Sequence, residues 1–215
     1  MKKLIIAIST FVLFATNAMS IDLKPSFGVS GNLAAYAATG IERNFNEAGT
    51  AVDETTTEYG AFKENYPSIF VEVGLNDAVS LGVDYVPTTI KTPENVSNVN
   101  EGNSNTVRAE IEQYTTIYAK VNIPLGGLYA KVGYAMFDVT SIETNANSYG
   151  DDSSNGYTLG LGYNHDVTDG FAIRAEVTAS SFDNVEANNG QTNKTEVEVE
   201  DMIGARGTIS LVKSF

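Results

Sequence analysis

His165 is the single imidazole of the chain, and there is no cysteine at all. Thiolate zinc sites, iron–sulfur sites and disulfide frameworks are therefore excluded, and any histidine-driven chemistry must run through one residue. A histidine-based hydrolase needs its base within reach of a serine and on the side where substrate arrives. His165 sits beside Asp166 at the head of the stretch to Gly170, which reads as a short turn. It is expected to be a solvated turn residue. Gly150-Asp151-Asp152-Ser153-Ser154-Asn155 clusters hard oxygen ligands, but it lacks the spacing and the distal Glu of a calcium loop, so a solvated turn is the preferred reading. Glu196, Glu198 and Glu200 share one strand face. They form either a hydrated strand extension or a set that a cation relieves. No glycine-rich phosphate loop precedes a helix. The expectation is no catalytic, cofactor or metal residue, and no enzyme. With 13 basic against 27 acidic residues, a net charge of -14 also argues against nucleic acid.

The remaining charged residues acquire meaning from the segments that carry them. Apolar residues recur at every second position in eight stretches, and alternation of this kind puts one apolar and one polar face on a strand. The stretches are 27–37, 69–75, 79–85, 111–123, 128–136, 157–163, 171–179 and 197–215. In the sixth, Tyr157, Leu159, Leu161 and Tyr163 stand against Thr158, Gly160, Gly162 and Asn164. Most approach the ~9–11 residues that a tilted strand needs to cross a bilayer. Three connections are short and turn-like: Asn76-Asp77-Ala78, Pro124-Leu125-Gly126-Gly127 and 165–170. Four are read as long polar loops, over 41–66, 87–108, 138–155 and 183–195, and they hold most of the excess acid. Short turns at one rim and long loops at the other fit an outer-membrane barrel.

Alternation also fits a soluble lipocalin-like carrier with its apolar face inside. Glycine and bulk favour the opposite arrangement. The polar parity is rich in Gly, Ser and Thr, mixed with Glu72, Asp84, Glu110, Glu112, Lys120, Lys131, Arg174, Glu176 and Arg206. Small residues and compensating charges suit the cramped interior of an eight-stranded barrel. Buried ions must be paired, so the four cations are expected to face these carboxylates across the lumen as an ion-pair network. Phe27, Tyr85, Tyr134, Tyr163, Phe171 and Phe215 lie near segment ends on the apolar parity, as interfacial girdles do.

The start of the chain reads as an export signal. Lys2 and Lys3 precede an apolar run from Leu4 to Ala15, and Ala18-Met19-Ser20 offers small residues at a cleavage site. Residues 1–20 are assigned as a signal peptide and 21–215 as one barrel domain. Cleavage leaves 195 residues and, without the two lysines, a charge of -16. Export implies passage through the Sec translocon.

The hairpin from Gly156 to Val177 and the run Ile123-Pro-Leu-Gly-Gly-Leu-Tyr-Ala-Lys-Val-Gly-Tyr resemble those of opacity-type and OmpA-like small outer-membrane barrels. Phe215, behind Ile209 and Leu211, is similar to the family's terminal signal read by the barrel-assembly machinery. Lys213 departs from that pattern, where an apolar residue is usual. The resemblance implies an all-β, eight-stranded antiparallel up-and-down transmembrane β-barrel in the outer membrane of a Gram-negative bacterium. It would be a monomer among lipid and lipopolysaccharide, without cofactors and without a further domain. A structural and surface-interaction role is expected, with a largely plugged lumen. The alternatives are a narrow porin-like channel for small solutes or ions, or a loop-borne adhesin or phage receptor.

Overall fold

The computed structural model describes residues 23–98, 104–143, 149–190 and 195–215. The signal-peptide assignment lies outside these residues. Eleven strands follow in chain order: β1 (Lys24–Phe45), β2 (Val52–Gly74), β3 (Val79–Tyr85), β4 (Ile90–Lys91), β5 (Asn95–Asn98), β6 (Ser104–Asn122), β7 (Leu128–Glu143), β8 (Asp151–Thr168), β9 (Phe171–Phe182), β10 (Val185–Asn188) and β11 (Thr195–Ser214). Eight of them form a closed ring in the order β1-β2-β3-β6-β7-β8-β9-β11, with β11 pairing back onto β1 and every pairing antiparallel. The β1–β11 ladder pairs the two strands that an open sheet would leave as edges. The small strands β4 and β5 fold back along β6, and β10 along β11.

The alternation resolves as an inverted protein. Leu161 and Val177, from the apolar parity, are 60% and 64% exposed, whereas Glu72 and Arg174 are 4% and 6% exposed. The oily face points outward, which overturns the soluble-carrier alternative. Of the predicted girdle residues, Phe27, Tyr134, Tyr163, Phe171 and Phe215 lie exposed with it, and Tyr85 is half-buried.

Two expectations need correction. The segment 41–66 is not a loop: Asn44 pairs with Glu54, and the ladder continues unbroken to Lys24 and Gly74, leaving only 46–51 as a turn. Its Thr55, Thr56, Thr57 and Tyr59 favour strand despite their polarity, because β-branched and aromatic side chains fit a pleated surface. β8 likewise absorbs the whole of 151–155 and, at its other end, His165, so the turn after it is only Asp169-Gly170.

The second correction concerns faces. In β6 the register shifts between Glu112 and Thr115, and Gln113 has φ 53°. Three residue steps oppose two on β7, so the bulge exchanges inside for outside. Below it Tyr114, Thr116, Tyr118 and Lys120 are buried. Above it Ile111 packs against the interior cluster and Glu110 turns away. A matching bulge in β11, where Asp201 has φ 53°, shifts register against β1 between Ala37 and Thr39.

The interior has two levels. Toward the long-loop end lies an apolar cluster of Tyr66, Val86, Ile90, Tyr114, Phe137 and Phe182, flanked by Tyr36, Phe62 and Met202. Its rings meet edge-on, Tyr114–Phe137 at 5.6 Å and Phe137–Phe182 at 5.2 Å. The Tyr36 and Tyr66 hydroxyls satisfy each other at 2.7 Å. Toward the short-turn end lie the charges.

Candidate functional site

Two rows of three residues organise the charged level. In one, Glu72 of β2 is registered with Gly82 of β3, and Gly82 with Tyr118 of β6. In the other, Glu176 of β9 is registered with Gly162 of β8, and Gly162 with Tyr129 of β7. Acid, glycine and tyrosine thus repeat on opposite walls. The glycine lets each ring lie across the neighbouring strand. A Cβ at 82 would fall 2.4 Å from Tyr118 Cζ, and one at 162 would fall 2.2 Å from Tyr129 Cζ. Each hydroxyl then donates to its acid, Tyr118 to Glu72 at 3.1 Å and Tyr129 to Glu176 at 2.8 Å.

The lysines complete both rows. Lys120 and Lys131 stand directly opposite each other in the β6–β7 ladder, a like-charge pairing that costs energy unless each finds a counter-ion. They diverge, Lys120 to Glu72 and Lys131 to Glu176 Oε1 at 2.5 Å. Each ammonium also lies over the other row's ring, Lys131 at 4.5 Å from Tyr118 and Lys120 at 5.5 Å from Tyr129. Arg174 forks onto Glu72 at 3.0 and 3.4 Å while stacking 5.0 Å from Phe70. Arg206 reaches Asp84 at 3.4 Å, and Ser68 donates to the same carboxylate at 3.0 Å. Four cations meet three carboxylates, leaving one positive charge in surplus. The cavity left between Phe70, Tyr118, Arg174, Glu176 and Arg206 is about 10 Å³, roughly the space of one water.

Seven of the nine residues expected in a lumen network are therefore brought together: Glu72, Asp84, Lys120, Lys131, Arg174, Glu176 and Arg206. Glu110 and Glu112 are not. The β6 bulge turns them to the other face, where Glu110 meets Arg108 at 2.8 Å and Lys91 at 3.5 Å, and Glu112 accepts from Thr89 at 3.2 Å. Tyr118 and Tyr129 join the network from outside the expected set. The repeated Tyr-Ala-Lys-Val at 118–121 and 129–132 is the signal that ties each tyrosine to a lysine of the same parity.

The other candidates disperse. His165 is exposed near the short-turn rim, stacked 6.5 Å from Tyr163. The 151–155 cluster lies along β8, so its side chains alternate between faces; Asp152 accepts the Glu186 amide at 3.2 Å, and Ser154 donates to the Asp183 carbonyl at 2.7 Å. Above the β11 bulge, Glu196, Glu198 and Glu200 register with Arg43, Ile41 and Thr39, and Arg43 binds Glu198 at 2.9 Å. Among the described residues, no group of three or more His, Asp or Glu side chains converges as a metal site. Phe215 closes the ring at its base, its amide donating to Pro25 O at 3.0 Å.

Residues 7–199 match the outer membrane protein beta-barrel domain family. The chain belongs to that family. It is an integral outer-membrane β-barrel protein. Among solved structures, OprG from Pseudomonas aeruginosa shares 14% identity at a TM-score of 0.58, the alignment covering 88% of this chain and 95% of OprG. Ail, the attachment invasion locus protein of Yersinia pestis, aligns at 13% identity and a TM-score of 0.43, over 87% of this chain and 99% of Ail. Neisserial surface protein A aligns at 13% identity and 0.41, over 88% and 97%. The likeness to OprG is one of fold. Among curated proteins, none matches the chain.

Proposed function

We propose that this protein is a closed barrel that works through its surfaces rather than through a pore. The carrying observation is the pair of acid–glycine–tyrosine rows, bridged across the lumen by lysines and arginines, with a cavity of only about 10 Å³ among Phe70, Tyr118, Lys131, Arg174 and Arg206 beside them. A hydrated ion needs far more room than one water. On this reading the barrel anchors four hairpin ends outside the cell and both termini in the periplasm, as a monomer in lipid and lipopolysaccharide. The acidic β1–β2 hairpin, with Glu42, Glu47, Asp53, Glu54 and Glu58, then extends well beyond the bilayer. On this reading it is not an enzyme, its lone imidazole, His165, lying at the short-turn rim rather than among the hairpin ends.

Planar-bilayer recording tests this. Wild-type protein, inserted and verified by its heat-dependent gel shift, is expected to give no current steps above the bare bilayer. Sustained unitary currents from wild-type protein would overturn the closed reading in favour of a narrow channel. That second reading draws on the Arg206–Asp84 contact, at 3.4 Å a long pair for such a buried site, which a rearranged lumen could release.

A further inference from the structure

Lys213 breaks the apolar parity two residues before the terminal phenylalanine, and the charged interior makes no use of it. Its register partners are Phe171 of β9 and Phe27 of β1, both exposed on the outer face. At the same rim Lys24 pairs with Asp77 at 2.7 Å. Lys213 is half-buried, its ammonium packed against Gly170, where an added Cβ would fall 2.6 Å from Nζ, and it lies 4.4 Å from the Phe171 ring centroid and 5.6 Å from that of Phe215. Ring faces attract a cation and fix its position without neutralising it. Among the described residues no carboxylate pairs with it, although Asp166 and Asp169 belong to the neighbouring hairpin.

The row next to it toward the barrel middle is Val29, Leu211 and Ile173, all exposed outward. An unpaired ammonium between rings thus stands directly beyond an oily strip, at the level where aromatic belts mark the edge of the hydrocarbon. The anion that occupies that depth in a bilayer is the lipid phosphate, with its acyl chains running along the strip.

We propose that Lys213, framed by Phe171 and Phe215, binds the phosphate of a phospholipid in the leaflet at the short-turn rim, its acyl chains lying along Val29, Leu211 and Ile173. This site rests on the membrane placement of the barrel and holds whether or not the lumen conducts.

The test is native mass spectrometry of the full chain, refolded in detergent and titrated with dioleoylphosphatidylglycerol. Each sample is first required to show the heat-dependent gel shift, so that a failed barrel is distinguished from a failed lipid site. Wild type and Lys213→Arg are expected to retain the first lipid about fivefold better than Lys213→Gln, the scale of one lysine's attraction to a lipid surface. Lys24→Gln is expected to behave as wild type. Glycerol 3-phosphate, which has the anion without the chains, is expected not to displace the lipid. For wild type alone, raising ammonium acetate from ~0.1 to ~1 M shortens the screening length from ~10 to ~3 Å and should lower retention. Equal retention by Lys213→Gln, equal loss in Lys24→Gln, displacement by glycerol 3-phosphate, or salt-independent binding by wild type would each overturn the assignment.

Discussion

Replacing Glu72 by Gln removes one carboxylate and strands two cations. The amide keeps the shape of the side chain and an oxygen for the Tyr118 hydroxyl, which donates at 3.1 Å, so the loss is one of charge. Lys120 and Arg174, both less than a tenth exposed, lose the group that binds them. Removing one partner of a buried pair costs about 3–5 kcal/mol, because the other charge remains in a poorly polarisable site. Glu72 serves two cations, so the upper end of that range applies. Glu176→Gln strands Lys131 alone and belongs at the lower end. Taking a urea dependence of about 2 kcal/mol per molar, Glu72→Gln should lower the unfolding midpoint by about 2.5 M and Glu176→Gln by about 1.5 M. The assay is the heat-shifted band on unboiled gels across a urea series in lipid-doped micelles. The triple variant Glu72→Leu, Lys120→Met, Arg174→Met removes acid and cations together and should recover most of the loss. A Glu72→Gln midpoint equal to wild type, or a larger loss in Glu176→Gln, would refute the assignment of Glu72 as the anchor of both cations.

Gly162→Ala and Gly82→Ala should each cost about 1–3 kcal/mol by pushing a tyrosine off its acid, while Gly31→Ala, whose Cβ would meet nothing within 4 Å, should leave the same urea midpoint unchanged. Because the native chain has no cysteine, single cysteines at Glu110 and Ile111 report the β6 bulge: a membrane-impermeant maleimide should label position 110 far faster than 111. Deleting Gln113 should reverse that order, and an unchanged order would remove the bulge's role in choosing the face. At the short-turn rim, the hydrogen bond from Lys24, reinforced by its charge, holds the Asp77 carboxyl below its ordinary value of 3.8. A depressed folded value means that this pair's contribution is present above the unfolded value and fades as pH falls below it through the folded one. Carboxyl ¹³C titration should show Asp77 moving up toward 3.8 in Lys24→Gln, and an identical curve in both proteins would count against the pair.

Much of this was legible because a strand reports its faces every second residue. Leu159, Leu161 and Gly160, Gly162 separate by parity alone, and so do Arg174 and Glu176 from Ile173 and Val177. What parity cannot register is an inserted residue. Ile111 and Ile117 fall on one parity, and only the polar Gln113 and Thr115 between them mark the place where the face changes. The ends of β1 and β2 were hidden for another reason: outside the bilayer a strand needs no oily face, so Thr55 to Glu58 resemble a loop in polarity while pairing as a ladder. Partner choice inside the barrel depends on rows running across strands. Glu72 and Arg174 are 102 positions apart, and nothing local joins them.

The alternation also has a consequence for the journey that precedes folding. A chain bound for the outer membrane must first pass through another membrane without lodging there, and retention requires about twenty consecutive apolar residues. Here Leu159 and Leu161 of β8 and Ile173 and Val177 of β9 are each followed by a glycine, threonine or charged neighbour. The exported chain therefore carries its entire lipid-facing surface in diluted form, with a mean hydropathy of only -0.11 over the full sequence. Its greasiness comes into being only when the ring closes and sorts the two parities onto opposite sides of the wall.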